Sequence, residues 1–325
     1  MRAVVIARPG GPEVLSLRDV PTPEPGAREL LVRVHASALN RADLLQRRGA
    51  YPAPQGVPAD VPGLEYAGVV EAVGAEVRDW KPGARVMGLV GGGGYAEYVT
   101  VPADHALPVP ARLTLEQAAA VPEAYLTAHD ALFTRAGAQP GERLLVHAIA
   151  SGVGVALLQL TQAFDLEIIG TSRSAWKLER LRALGLRNAV LAGDDVLAAV
   201  RAQTGDDGVD VVVDLVGGDY LTANIALLRP RGRLVIVGLV AGRSAQLDMG
   251  AVLGKRLHVI GTAMRSRSTA EKAEVTQVFR THALPLLESG RLDPVIDEVV
   301  PMARAADAHT RMEANENVGK IVLSW

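Results

Sequence analysis

The hexad Ile149-Ala150-Ser151-Gly152-Val153-Gly154 follows an apolar run and precedes a helical pattern. Small residues at a strand-to-helix turn let the backbone approach a pyrophosphate, and a helix N-terminus favours its charge. The strict dinucleotide fingerprint places glycine at the first, third and sixth positions; here those are Ile149, Ser151 and Gly154, so only the last agrees. The expectation that Ser151, Gly152, Val153 and Gly154 bind a dinucleotide therefore rests on their place after the first of a series of parallel strands. The alternative is an ordinary tight turn. The end of the next strand, Ile168-Ile169-Gly170-Thr171-Ser172-Arg173-Ser174, has no acid to accept from ribose hydroxyls. Ser172, Arg173 and Lys177 offer a hydroxyl and two cations suited to a 2′-phosphate. The expected cofactor is NADPH.

A second group lies in the first third. Asn40 and Asp43 stand one turn apart at a helix start, where both types also act as caps. Tyr51, in the proline-rich segment Gly49–Pro62, could direct its phenol at a substrate oxygen or pack as a surface aromatic. His35 and His147 fall within strands and are expected to be satisfied structural residues. There is no cysteine, and the seven histidines form no close-spaced pair, so a zinc site is not expected. Without a Lewis acid, an alcohol or ketone is hard to polarise. Hydride delivery then suits an acceptor that already stabilises negative charge, such as a quinone or a conjugated enone. No side chain stands out as an obligatory acid. Protonation is expected from solvent or through Tyr51 and Asn40.

These groups need elements to hold them. Residues 1–122 are short alternating or apolar runs punctuated by Pro and Gly, the pattern of a mostly antiparallel β domain. After Pro122 a helix is predicted over 123–136. Strands follow at Arg143–Ala148, Glu167–Thr171, Asn188–Leu191, Val209–Leu215, Arg233–Val237 and His258–Thr262, with helices such as 175–184 between them. That alternation predicts an α/β fold, a doubly wound six-stranded parallel sheet of Rossmann type. A helix is expected near 269–289, and residues 294–325 return to short strands. The expected division is 1–122 plus 294–325 for a β-rich substrate domain and 123–293 for the dinucleotide domain, with the small-molecule site in the cleft.

Composition narrows the classes further. A chain of 325 residues with 49% hydrophobic and only 4% aromatic residues builds an aliphatic core without disulfides. A formal net charge of -2 gives no basic field for nucleic acid. The N-terminus lacks a secretory apolar core and no apolar run reaches spanning length, so no membrane association and a cytoplasmic location are expected.

Several stretches together carry a resemblance over essentially the whole chain, in order: Ala38-Leu39-Asn40-Arg41-Ala42-Asp43, Pro62-Gly63-Leu64-Glu65-Tyr66, Pro122-Glu123-Ala124-Tyr125-Leu126-Thr127-Ala128, the 147–154 turn, and Met312–Leu323. The chain resembles the medium-chain dehydrogenases/reductases, with a GroES-like catalytic domain. Within them it is similar to the zinc-free quinone oxidoreductase branch that includes zeta-crystallin and the tumour-suppressor-inducible enzyme. In zinc-dependent members a Cys stands at the place of Asn40 and a His at that of Leu64. The resemblance implies NADPH-dependent reduction of quinones and a homodimer, or a tetramer, built on edge strands. It places Lys177 at the 2′-phosphate, Gly217 by the adenosine, Leu239, Val240 and Met264 around the nicotinamide, and Thr127 close to it. Asn317 and Lys320 fall in a loop closing over the cofactor. Relatives often carry a Tyr where this chain has Ala192. Two other readings stay open: an NADPH-dependent alkenal or enoyl reductase, and a non-catalytic NADPH-binding protein with a structural or redox-sensing role.

Overall fold

The computed structural model describes residues 1–193 and 195–325, and only the backbone of Asp206. The chain divides into two compact units, Met1–Leu126 with Met264–Trp325, and Thr127–Ala263.

The first unit is β-rich. Strands β1 (Arg2–Ile6) and β2 (Leu15–Asp19) form an antiparallel pair. Strands β3 (Glu29–Ala38), β4 (Glu65–Val73), β5 (Arg85–Leu89), β6 (Tyr98–Pro102) and β7 (Ala106–Pro108) build a larger sheet. Its centre is β3, where Leu30, Val32, Val34 and Ala36 point inwards while Arg33 faces out, the period-2 pattern of a half-buried strand. Leu30, Val32 and Val34 meet Tyr66, Val70, Val86, Val99 and Val101 in one core, each large apolar group adding roughly 1.5–3 kcal/mol. Helix α1 (Arg41–Arg47) leaves β3 directly, followed later by the short α2 (Leu115–Ala119).

Helix α3 (Pro122–His129) carries the chain into the second unit. The helix expected to 136 does continue past His129. It widens into a π-helical turn over Asp130–Arg135, with Ala136 N bonding Ala131 O. Six parallel strands then follow: β8 (Arg143–Val146), β9 (Glu167–Ser172), β10 (Asn188–Leu191), β11 (Val209–Asp214), β12 (Leu228–Ile236) and β13 (His258–Gly261). The intervening helices are α4 (Gly152–Ala163), α5 (Ala175–Ala183), α6 (Val196–Thr204), α7 (Tyr220–Leu227) and α8 (Met249–Lys255). The order β10-β9-β8-β11-β12-β13 is the doubly wound arrangement. The order in which strands are added reverses between β8 and β11, so the loops leaving their carboxyl ends flank the ligand crevice of this fold. Leu145, Ile169, Val212, Ile225 and Leu234 are among its core residues.

The chain re-enters the first unit at Met264, well before Pro294. Helix α9 (Thr269–His282) belongs there because Phe279 is fully buried and His105 Nε2 donates to Thr269 O (2.8 Å). The helix expected over 269–289 is interrupted at Ala283, and α10 (Leu284–Glu288) follows, with Pro285 in its first turn. Strand β14 (Ile296–Pro301), helix α11 (Ala305–Glu313) and strand β15 (Lys320–Ser324) complete the unit. β15 pairs with β3, which places Lys320 beside the start of α1.

Candidate active site

In the first unit the chemistry gathers where β3 ends and α1 begins. Asn40 is the N-cap of α1, and its backbone N–H donates to Asp43 Oδ2 (2.8 Å). Asp43 is fully buried, and its Oδ1 accepts from Gly63 N (3.1 Å). Gly63 is required there. Its φ is +100°, and a Cβ would lie 2.6 Å from Tyr95 Cδ1 and 2.7 Å from Gly94 Cα. Burial raises the Asp43 carboxyl to about 6, against the pull of its two backbone donors.

Glu65, the first residue of β4, is also fully buried. Its Oε1 accepts from Asn40 Nδ2 (2.8 Å) and Lys320 Nζ (2.7 Å), and its Oε2 from Glu123 N (2.7 Å). Lys320 spends its other ammonium hydrogens on Leu39 O (2.8 Å) and Asn40 Oδ1 (2.6 Å). The Asn40 amide is therefore fixed in orientation: Nδ2 must face the carboxylate and Oδ1 the ammonium. Lys320, expected in a loop over the cofactor, is instead 4% exposed and directs its ammonium at this cluster.

A zinc ion of the kind the resemblance implies for metal-dependent members does not fit at Asn40 and Leu64. Leu64 is buried as an apolar side chain, and an ammonium lies within 2.7 Å of both Asn40 Oδ1 and Glu65 Oε1. A cation would be repelled from donors already held by a cation. Among the described residues, no group of three or more His, Cys, Asp or Glu is arranged to hold a metal ion.

Beneath α1 runs a buried chain. Arg47 Nη1 donates to His309 Nδ1 (3.2 Å), so the neutral ring carries its proton on Nε2, facing Tyr95 OH at 3.4 Å. Tyr95 OH in turn donates to Asp43 Oδ2 (3.4 Å). Burial, then the Arg47 charge, hold His309 at about 3, so it stays neutral. Arg47 also pairs with Glu313.

Tyr51 is half-buried beside Arg265, whose guanidinium lies 4.8 Å from the ring centroid. Burial raises the phenol above its ordinary value, and the Glu123 carboxylate adds to this. Glu123 itself is pushed up to about 8, first by burial and then by Glu65, while Lys320 and Arg265 pull it down. Of the expected catalytic residues, Asn40 and Asp43 are joined by hydrogen bonds in this unit and Tyr51 stands close by on Arg265. Thr127 belongs to the second unit, where its Oγ1 is buried without a hydrogen-bond partner.

In the second unit, Ser151 Oγ caps α4 by accepting from Gly154 N (3.1 Å). A Cβ at Gly154 would lie 2.4 Å from Ile149 O, so only glycine lets the helix start against that turn. A buried relay lies under it. Thr171 Oγ1 meets His147 Nδ1 (2.9 Å), His147 Nε2 meets Asn224 Oδ1 (2.7 Å), and Asn224 Nδ2 donates to Asp214 Oδ2 (2.9 Å). Because the Asn224 N–H faces the carboxylate, its Oδ1 accepts, and His147 carries its proton on Nε2. Burial lowers the His147 pKa, in keeping with the structural role expected for it. Asp214 Oδ1 then accepts from Val216 N (2.8 Å) and Gly217 N (2.9 Å), fixing the turn expected at the adenosine. Arg173 is exposed at the end of β9, Ser172 Oγ accepts from Ser174 N, and Lys177 is buried with its ammonium 5.4 Å from the Trp176 ring. Leu239 and Val240 are exposed, 48% and 63%, while Met264 and Asn317 in the first unit are buried, Asn317 Nδ2 donating to Gly319 O. A capped helix start, a close-approach glycine and an unpartnered hydroxyl at Thr127 fit a nicotinamide dinucleotide.

Five participants were not singled out from the sequence: Glu65, Glu123, Arg265, Tyr95 and His309. Glu65 had a signal, a carboxylate inside the apolar run Leu64–Val70. Glu123 reads as an ordinary helix-start acid and Arg265 as a surface cation, and neither had one.

Fold and site define a two-unit, dinucleotide-type dehydrogenase. Comparison with known proteins agrees. Residues 26–111 match the alcohol dehydrogenase GroES-like domain family, and residues 152–281 the zinc-binding dehydrogenase family. The quinone oxidoreductase of Rattus norvegicus is 32% identical over 99% of this chain and 97% of its own. Among solved structures, a Pseudomonas syringae quinone oxidoreductase superimposes with TM-score 0.90 at 32% identity over 100% and 99% of the two chains. A mycobacterial protein, Rv1454c, complexed with NADPH gives 0.90 at 30% over both full chains, and an NAD-dependent alcohol dehydrogenase 0.86 at 35% over both. The CurK enoyl reductase gives 0.88 at 28% over 99% and 98%. The chain belongs to the medium-chain dehydrogenase/reductase superfamily, and is an oxidoreductase of that family. Among the described residues no helix is long and apolar enough to cross a membrane.

Proposed function

We propose that this protein is an NADPH-dependent quinone reductase that works without zinc. The observation that carries this reading is the Asn40–Glu65–Lys320 cluster: at the place where the resemblance puts zinc in metal-dependent members, this chain holds a buried ammonium paired with a carboxylate. An acceptor that delocalises charge by itself suits such a site. The dinucleotide would lie on the Ser151–Gly154 turn with Ser172, Arg173 and Lys177 at its 2′-phosphate. Gly217, Leu239, Val240, Met264 and Asn317 would complete its surroundings, and Thr127 would offer its open hydroxyl to the nicotinamide. When bound, the cofactor supplies the hydride. Tyr51 orients the acceptor, and Asn40, whose amide hydrogens are held by Ala38 O and Glu65 Oε1, lines the site. Glu123, protonated at neutral pH, replaces solvent as the source of the proton that completes the hydroquinone. Asp43 orients the α1 start through Asn40 and Gly63 rather than touching substrate.

The test of cofactor choice is the Arg173→Ala, Lys177→Ala pair. It is expected to raise the KM for NADPH by roughly 100-fold, two lost charge-assisted bonds, and to leave that for NADH unchanged. Equal effects on both would remove the 2′-phosphate role. The second reading, an enoyl or alkenal reductase, has the CurK likeness in its favour. Turnover of a 2-alkenal in place of a 1,2-quinone would establish it.

We also propose a homodimer formed through β13. That strand is the sheet's edge, and Val259 on it, with Leu247, Met249 and Leu253 nearby in sequence, is exposed by 41% to 81%. An exposed apolar edge calls for a covering strand. Light scattering should give twice the chain mass, and a Val259→Lys variant the monomer mass.

A further inference from the structure

We propose that Arg265 is the positioning residue that sets the shape of the acceptor pocket, by holding the 49–62 and 88–94 segments together in one arrangement. The inference rests on the reading above that Tyr51 faces the acceptor.

Arg265 is 7% exposed, and its fork reaches three partners. Nε donates to Gly91 O (2.8 Å), Nη1 to Tyr51 O (3.1 Å) and Nη2 to Gln46 Oε1 (2.7 Å). The far end of the Gln46 amide donates to Ala59 O (3.1 Å). One guanidinium therefore grips the Gly91 turn and the start of the Tyr51 segment directly, and the end of that segment through Gln46. Lys272 Nζ donates to Arg265 O (3.0 Å), anchoring the backbone that carries the fork to α9.

The guanidinium does a second thing. Its face covers the Tyr51 ring, which favours one ring orientation by cation–π attraction. With the backbone carbonyl of Tyr51 held by the same group, both ends of that side chain's freedom are restricted. The position follows Met264, the residue expected at the nicotinamide, so the clamp starts one residue from the hydride donor's proposed place. A planar aromatic dione needs a slot of fixed width, whereas a slim alkenal does not. Lysine would not replace the fork, because three acceptors reached from Nε, Nη1 and Nη2 separately match a guanidinium and not a compact ammonium.

The experiment measures two readouts on full-length Arg265→Lys and Arg265→Gln, with Gln46→Leu as a milder variant that cuts only one arm. The first is amide hydrogen exchange in 49–62 and 88–94, which needs no turnover. The second is the steady-state KM for 9,10-phenanthrenequinone beside the Kd for NADPH. Exchange in both segments should rise in the two Arg265 variants, and in Gln46→Leu only in 49–62, which loses its Ala59 tie. The quinone KM should rise about tenfold in both Arg265 variants, the worth of one charge-assisted bond, with the NADPH Kd unchanged within twofold and the KM for a 2-alkenal rising less. Lysine failing to rescue is part of the expectation. Unchanged exchange in the two segments of the folded variants would overturn the clamp, as would a quinone KM within twofold of wild type. If the wild-type protein turns over no quinone, the functional reading fails by itself, and the exchange data alone then decide whether Arg265 holds the segments.

Discussion

Replacing Glu123 with Gln tests the proposed proton source. The carboxyl sits at the second position of α3, and its own backbone N–H is fastened to Glu65 Oε2. The charged groups around it are Glu65, Asp43, Lys320, Arg265 and Lys272, with Tyr51 beside them. Burial is the main reason it is pushed up to about 8, and the like charge of Glu65 adds to it. At that value the group is about nine-tenths protonated at pH 7 and about one-tenth at pH 9, so a rate that needs the acid form falls roughly tenfold across that interval. Gln keeps the size and cannot give up a proton. The variant should lose the inflection and run at least about tenfold slower at pH 7, the low end of general-acid effects. The assay is kcat for 9,10-phenanthrenequinone from pH 6 to 9.5, with NADPH affinity followed by its fluorescence. A variant that keeps the wild-type inflection near pH 8 would refute the assignment, as would a flat wild-type profile.

The remaining predictions concern the frame around that acid. Asp43 is raised to about 6 in the folded protein from 3.8, so the native state holds this proton more tightly than the unfolded chain. Its contribution is full below pH 4 and is lost as pH rises through 6, a change of about 3 kcal/mol; urea midpoints of Asp43→Asn should lack that decline between pH 4 and 6. Lys320→Met leaves Glu65 buried without its cation and should cost about 3–5 kcal/mol, while a Glu65→Leu, Lys320→Met double variant should recover most of the loss in thermal melts; no recovery would mean the pair is not coupled. Gly154→Ala places a methyl 2.4 Å from Ile149 O and should weaken NADPH binding at least about tenfold through a displaced helix start, read by calorimetry; an unchanged Kd would show that α4 does not carry the phosphates.

The parts legible in sequence were those governed by local pattern. Asn188–Leu191 forms the strand its apolar run predicts, and the turn before α4 lies where small residues follow a buried strand. The helix start at Asn40 and Asp43 was legible for the same reason, since capping is decided within one turn. What escaped depends on distant pairing. Lys320 meets Glu65 across 255 positions, so no local spacing marks it as part of the Asn40 cluster. Arg265 follows the last strand of the parallel sheet yet belongs to the other unit, because α9 packs by Phe279 and through His105. Strand β12 begins at Leu228, five residues before the expected Arg233, but its pairing with β11 passes from Leu228 straight to Arg233, so residues 229–232 form a bulge with Arg231 at positive φ and the unbroken pairing starts where it was expected. The helix expected over 123–136 is present from Pro122 to Arg135, but its π-helical second half was not legible, because a π-helical turn has the same apolar content as an α-helix and differs only in its bonding.

The central claim is zinc-free hydride transfer from NADPH to a quinone. Its most direct test is loss of absorbance at 340 nm with NADPH or NADH, 9,10-phenanthrenequinone or a 2-alkenal, on protein dialysed against chelator. Quinone-dependent oxidation of NADPH, with NADH poor and chelator without effect, is the predicted result. Activity confined to the alkenal, a preference for NADH, or loss of turnover with chelator that zinc restores would contradict it.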